Sequence, residues 1–202
     1  MLFIFTTALM ITAAMPAAAE DKKNQRKMLF YTYAGPVAGT GYNHIRYKDW
    51  NTTLSTFQNV HTSGLQATGG VMFNIFVNNI IGDFRVEYIG NFNDSHQVHH
   101  LFWSILGKYK WPLTETISIA TGAGIYFETP PSNINYNGTA GLQVPVGIII
   151  NTTFDTRLVI DLMTRFGFYG YDDAVGKVDI TENSYKVSYG ITIGFLFKVG
   201  RL

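Results

Sequence analysis

Lys186-Val187-Ser188-Tyr189-Gly190-Ile191-Thr192-Ile193-Gly194-Phe195-Leu196-Phe197-Lys198-Val199 is the stretch that decides the fold. Val187, Tyr189, Ile191, Ile193, Phe195, Phe197 and Val199 share one side of a two-residue period. Lys186, Ser188, Gly190, Thr192, Gly194 and Lys198 share the other, with Leu196 as the apolar exception. Such alternation marks a strand whose two faces meet different media. Its length adds a second clue. Strands of soluble proteins average about 5–6 residues, whereas a strand that crosses a bilayer needs about 9–11.

Working back from this last strand, the pattern recurs seven times. The seventh strand sends Leu158, Ile160, Leu162, Phe166 and Phe168 one way and Arg157, Asp161, Arg165 and Tyr169 the other. The third separates Phe84, Val86, Tyr88 and Phe92 from Asp83, Arg85, Glu87 and Asn91. The fourth separates Leu101, Trp103, Ile105, Tyr109 and Trp111 from His100, Ser104 and Lys108. The second, fifth and sixth alternate around Phe73, Ile119 and Val146. The first, about Met28 to Gly39, is the least regular. The charges fall on the face rich in glycine and small residues. A ring of about eight strands leaves room inside only for side chains, so that face points in and the apolar face meets lipid. The expected fold is therefore all-β: an eight-stranded antiparallel up-and-down transmembrane β-barrel. Phe166, Ile191, Ile193 and Phe195 face lipid. Tyr109, Trp111, Phe127, Tyr189 and Phe197 supply interfacial aromatics.

Connections alternate in length, as membrane barrels require. Short turns are expected at Asn78-Asn79, Trp111-Pro112-Leu113-Thr114 and Thr152-Thr153-Phe154-Asp155. Loops are expected at about Thr40 to Ser63, Asn93 to Gln97, Thr129 to Asn137 and Asp172 to Asn183. Eight strands put both ends of the barrel on the short-turn, periplasmic side. Met1 to Pro16 is apolar and uncharged and runs into Ala17-Ala18-Ala19, a small-residue cleavage pattern. Residues 1–19 thus read as a cleavable signal peptide, 20–27 as a periplasmic tail and 28–202 as the barrel domain.

Composition agrees. Only 14% of the 202 residues are charged, against roughly 25% in soluble domains. A net charge of +1 gives no electrostatic case for nucleic acid. The absence of cysteine excludes disulfides and thiolate metal sites.

On its signal peptide, strand count, loop asymmetry and the terminal Gly194-Phe195-Leu196-Phe197, the chain resembles the small eight-stranded outer-membrane barrels of the OmpA/OmpX/OmpW-like superfamily. The resemblance implies a bacterial outer membrane, lipid and lipopolysaccharide as neighbours, and the barrel-assembly machinery as a partner in biogenesis. It departs from such proteins at its end, Val199-Gly200-Arg201-Leu202, where an aromatic residue is usual.

Nothing in the sequence calls for a cofactor. His96 and His100 stand about 13 Å apart on a regular strand, too far to share a zinc ion with ligand bonds near ~2.1 Å. His99 points the opposite way. The same spacing separates His100 from Ser104, so that pair is no nucleophile and base, and no catalytic residue is assigned. Gly122-Ala123-Gly124 reads as close packing, without the third glycine and helix of a nucleotide loop. Three functions remain: a structural barrel interacting through its extracellular loops with host molecules or partners, an OmpW-like conduit for small hydrophobic solutes, and, least favoured, a lipid-modifying enzyme. The inward charges Asp83, Arg85, Glu87, Lys108, Arg157, Asp161 and Arg165 favour the first. The third and seventh strands stand four apart in the ring, so Arg85 is expected to meet Asp161, and Glu87 to meet Arg165, across a closed lumen; the alternative is that each charge is solvated or pairs with an adjacent strand. The apolar Met72, Phe76, Phe102, Leu106, Ile149 and Met163 also point in, which leaves room for an apolar pocket above a charged floor.

Overall fold

A computed structural model describes residues 30–51, 56–92, 97–129, 136–172, 178–179 and 185–201. The segments expected as signal peptide and periplasmic tail, and parts of the four expected loops, lie outside the described residues. The strands are β1 (Phe30–Asn51), β2 (Thr56–Val77), β3 (Ile80–Phe92), β4 (Gln97–Pro112), β5 (Ile117–Glu128), β6 (Tyr136–Asn151), β7 (Thr156–Asp172), a two-residue β8 (Val178–Asp179) and β9 (Tyr185–Arg201). Every neighbouring pair is antiparallel. β9 pairs with both β7 and β1, which closes the sheet on itself. β8 pairs only with the end of β7 among the described residues, so eight strands form the barrel.

The register partners run from Tyr33 through Asn74, Asp83, Leu106, Gly124, Gln143, Arg165 and Ser188 back to β1 at Asn43. The circuit thus ends ten residues further along β1. That stagger tilts the strands, typically by ~35–45°, and fixes the width of the barrel. It also decides which residues face one another across the lumen.

The two faces differ as the alternation predicts. Ile191, Ile193 and Phe195 are 37%, 49% and 40% exposed, while Thr192 and Leu196 of the opposite phase are 3% and 0% exposed. Exposed apolar side chains continue around the ring through Val71, Phe84, Ile105, Ile125, Ile148 and Leu162. Soluble monomers rarely expose contiguous apolar patches beyond a few hundred Å², and this belt encircles the molecule. Its medium is hydrocarbon. No helix among the described residues is long and apolar enough to cross a membrane; this chain crosses with strands.

The turns at one end are short. Asn78 adopts a positive φ of 55° in the two-residue hairpin before β3, a conformation asparagine tolerates and such hairpins need. The second turn falls at Leu113 to Thr116, because Trp111 and Pro112 still belong to β4. The largest departure from the sequence reading is at the other end. Thr40 to Ser63, expected as a loop, is mostly strand: β1 and β2 stay paired from Phe30↔Val77 to Asn51↔Thr56. Backbone pairing needs no apolar alternation, so a ladder that continues past the lipid leaves no period-two signature.

Candidate functional site: a charged layer across the lumen

The inward side chains stack in layers. Nearest the short turns lies an apolar floor of Tyr33, Phe76, Ile81, Ala120, Ile149, Val159 and Leu196, with Val37 and Met72 packed on it. Tyr33 and Phe76 meet edge to face with ring centroids 5.4 Å apart. The Arg157 guanidinium lies over both rings, 4.0 and 3.9 Å from their centroids. Arg157 therefore caps the aromatic floor and stands apart from the other inward charges. Of the inward apolar residues, Met72, Phe76 and Ile149 lie in this floor below the charges, while Phe102 lies above them in a second buried cluster with Ile89 and Tyr126.

Above the floor, Asp83 and Arg85 of β3, Lys108 of β4 and Asp161 of β7 form a quartet, each at most 4% exposed. Arg85 Nε donates to Asp83 Oδ1 at 3.0 Å and its Nη2 to Asp83 Oδ2 at 2.6 Å. The same Nη2 pairs with Asp161 Oδ2, and Nη1 donates to Thr192 of β9 at 3.0 Å. Lys108 Nζ bridges the two carboxylates, 2.6 Å from Asp83 Oδ2 and 2.7 Å from Asp161 Oδ2. With its amide turned to donate, Asn74 reaches Asp83 Oδ1 at 3.2 Å. Two cations and two anions cancel. The short, charge-assisted bonds offset a desolvation cost of several kcal/mol per ion. Gly147 makes room for this: a Cβ there would overlap the Asp161 carboxylate.

The next layer is looser. Arg165 Nη2 lies 3.6 Å from Glu87 Oε2, its Nε donates to Gln143 Oε1 at 3.4 Å, and its guanidinium sits 4.2 Å over the Phe102 ring. Phe102 stacks on Tyr126 at 5.3 Å. A Cβ on Gly167 would strike the Tyr126 hydroxyl, so that glycine is a packing requirement. Towards the loops, Lys186 Nζ donates to both oxygens of Glu128 at 2.7 and 2.8 Å.

The structure thus brings Arg85 to Asp161 and Glu87 near Arg165, and adds Lys108 and Asp83 to the first pair. Sequence reasoning missed the Glu128–Lys186 pair. Its signal was present, since both residues occupy inward phases, but their common depth depends on the stagger. It also missed His44 and Ser63, whose Nδ1 and Oγ stand 2.7 Å apart. They are paired residues of β1 and β2 on a stretch read as loop. Tyr109, Trp111, Phe127, Tyr189 and Phe197 all lie on the outer face, each 36% exposed or more. Phe166, also outward, is half-buried. His96 lies outside the described residues, as do the side chains of His99 and His100.

An apolar belt outside and a closed eight-stranded antiparallel sheet whose inward charges are neutralised make this a transmembrane barrel of the outer-membrane type. No protein-family model matches the chain, and no curated protein matches it in sequence. Among solved structures it is similar to neisserial surface protein A, with 16% identity over 86% of this chain and 100% of that one and a TM-score of 0.45. It is similar to the Escherichia coli outer membrane protein W, with 13% identity over 87% and 100% and a TM-score of 0.45. It is also similar to the N-terminal β-barrel domain of Pseudomonas aeruginosa OprF, with 14% identity over 81% and 98% and a TM-score of 0.43.

Proposed function

We propose that the protein is a closed barrel of the bacterial outer membrane that serves as a structural and surface-interaction protein through its extracellular loops. One observation carries this reading. The lumen is filled at successive depths by the apolar floor and the neutral quartet, whose members are 0–4% exposed. A hydrated pore would leave those groups wet. A conduit for small hydrophobic solutes would need a continuous apolar passage, and here a charged layer interrupts the apolar residues. What remains for contact is the outer wall, which meets lipid and lipopolysaccharide, and the loops, which meet host molecules, small ligands or other partners. The absence of ion flow is the test. Refolded protein in planar bilayers should show no unitary conductance steps, with or without small hydrophobic solutes. Clear steps in the wild-type protein would overturn the closed reading. The orientation has its own test: a tag after Asp173 should bind antibody on intact cells and one at Asn79 should not. The reverse labelling would place the loops on the wrong side.

A further inference from the structure

The outer wall carries a feature that filling the lumen does not explain. Between β2, β1, β9 and β7 lies an open apolar groove of about 490 Å³. Tyr42, Leu65, Leu162, Tyr189 and Ile191 bound it, and the short outward side chains of Thr40 and Thr164 leave the space between them. The wall is thin there, because Gly41 and Gly190 pair across the β1–β9 seam. In the hydrocarbon layer such a groove is open to an acyl chain.

What stands above the groove gives the ligand its chemistry. Outward positions recur every second residue, so the face that carries Tyr42 and Leu65 next carries His44 and Ser63, and then Arg46. His44 Nδ1 and Ser63 Oγ are 2.7 Å apart, and the His44 ring lies 6.2 Å from that of Tyr185. The Arg46 side chain is half-buried on this outward face. Tyr42, Tyr88, Phe127, Phe168 and Tyr189, all exposed towards the loop end, mark the edge of the belt, where amphipathic rings sit at headgroup level. Tyr42 to Arg46 spans about 13 Å along the strand. Over that distance the wall passes from hydrocarbon groove to a hydroxyl–imidazole pair to a guanidinium. That is the order of chain, ester and phosphate in a lipid, and a guanidinium at the top of such a strip suits phosphate.

We propose that this strip of the outer wall is a binding site for a phosphate-bearing lipid of the outer leaflet, with one acyl chain in the groove and the phosphate on Arg46. The site rests on the membrane placement proposed above and is independent of whether the lumen conducts; a conducting barrel that retains the lipid would sink the closed reading alone.

The test is lipid retention by the full barrel in detergent, read by native mass spectrometry. Lipid A and its dephosphorylated form serve as ligands, and folding is scored by resistance of the barrel to room-temperature SDS. The wild type should retain the phosphorylated form roughly tenfold better, the ratio expected of one charge-assisted contact. Arg46→Ala should lower it to the level of the dephosphorylated form, and Arg46→Lys should recover part of the difference. Thr164→Trp, which fills the groove from the lipid side, should weaken both forms alike. Excess inorganic phosphate should not compete. Equal retention of the two forms by the wild type, an Arg46→Ala barrel that still prefers the phosphorylated form, or displacement by inorganic phosphate would each overturn the proposal.

Discussion

The quartet of Asp83, Arg85, Lys108 and Asp161 and the floor of Tyr33, Phe76, Ile149 and Leu196 fill adjacent depths of one lumen with opposite chemistry. The floor is non-directional. Its stabilisation grows with the apolar area it hides, roughly 25 cal/mol per Å², and one lost side chain leaves the rest in contact. The quartet is directional and mutual. Each member is tolerable only while its partners neutralise it, because a buried charge without a counter-ion is far costlier than a lost methyl group. A narrow barrel can therefore be closed by packing or by pairing, and the two closures should fail in different ways.

The largest failure is expected in the quartet. Arg85→Ala removes the group that contacts both carboxylates and Thr192, leaving Lys108 alone against two anions. We expect a loss of about 4 kcal/mol in urea unfolding from lipid vesicles, together with ion conductance absent from the wild type. A double-mutant cycle isolates the contact: Arg85→Ala and Asp161→Ala should couple by more than about 1 kcal/mol. Additive losses would mean that the two groups act separately.

The floor should lose comparable stability without that leak. Leu196 is fully buried and packs among Tyr33, Val37 and Phe76. Leu196→Ala should cost about 3 kcal/mol through lost transfer energy and a residual cavity, while conductance stays at the wild-type baseline because the layer above is intact. A leak as large as that of Arg85→Ala would show that the floor, and not the quartet, holds the lumen shut.

A smaller effect separates the room the quartet needs from the charges themselves. Gly147 faces Asp161 across the β6–β7 ladder. Gly147→Ala should displace the carboxylate from Arg85 and Lys108 and cost about 2 kcal/mol. In the Asp161→Ala background the same change should cost clearly less, leaving only the close approach of the new Cβ to the Ile160 carbonyl oxygen at 2.6 Å. An unchanged cost in that background would place the strain in the backbone instead.

These regions also differ in how far the sequence discloses them. The strand phases were open to reading because lipid and lumen impose opposite demands on successive residues, as in Ile191, Thr192 and Ile193. Inward charges are conspicuous where so few residues are charged, so Arg85 and Asp161 could be set at a common depth by counting along strands four apart. Leu196 was visible only as an exception, since an inward leucine breaks the rule that identified its strand. Glu128 and Lys186 could not be matched without the ten-residue stagger. The paired length of β1 and β2 was hidden because above Tyr42 the strand, with His44 and Arg46, climbs out of the hydrocarbon, where the alternation has no cause. His44 and Ser63 meet only once that ladder is in register.

The smallest effect is expected one layer above the quartet, and it tests whether pairing as such matters. Glu87 is fully buried, yet neither carboxylate oxygen has a hydrogen-bond partner. Its nearest cation, Arg165, is 3.6 Å away. Arg165 in turn leans on Gln143 and the Phe102 ring. A desolvated pair without good hydrogen bonds returns little of its burial cost, and replacing such a pair with neutral groups of similar size is often neutral or stabilising. The double change Glu87→Gln with Arg165→Met should therefore leave unfolding within about 1 kcal/mol of the wild type, and conductance at baseline. The equivalent neutralisation of Arg85 and Asp161 should not be tolerated, because it strands Asp83 and Lys108 with half their contacts. If the Glu87 and Arg165 change is as damaging as the loss of Arg85, geometry does not set the value of a buried ion pair in this lumen, and net charge at each depth does.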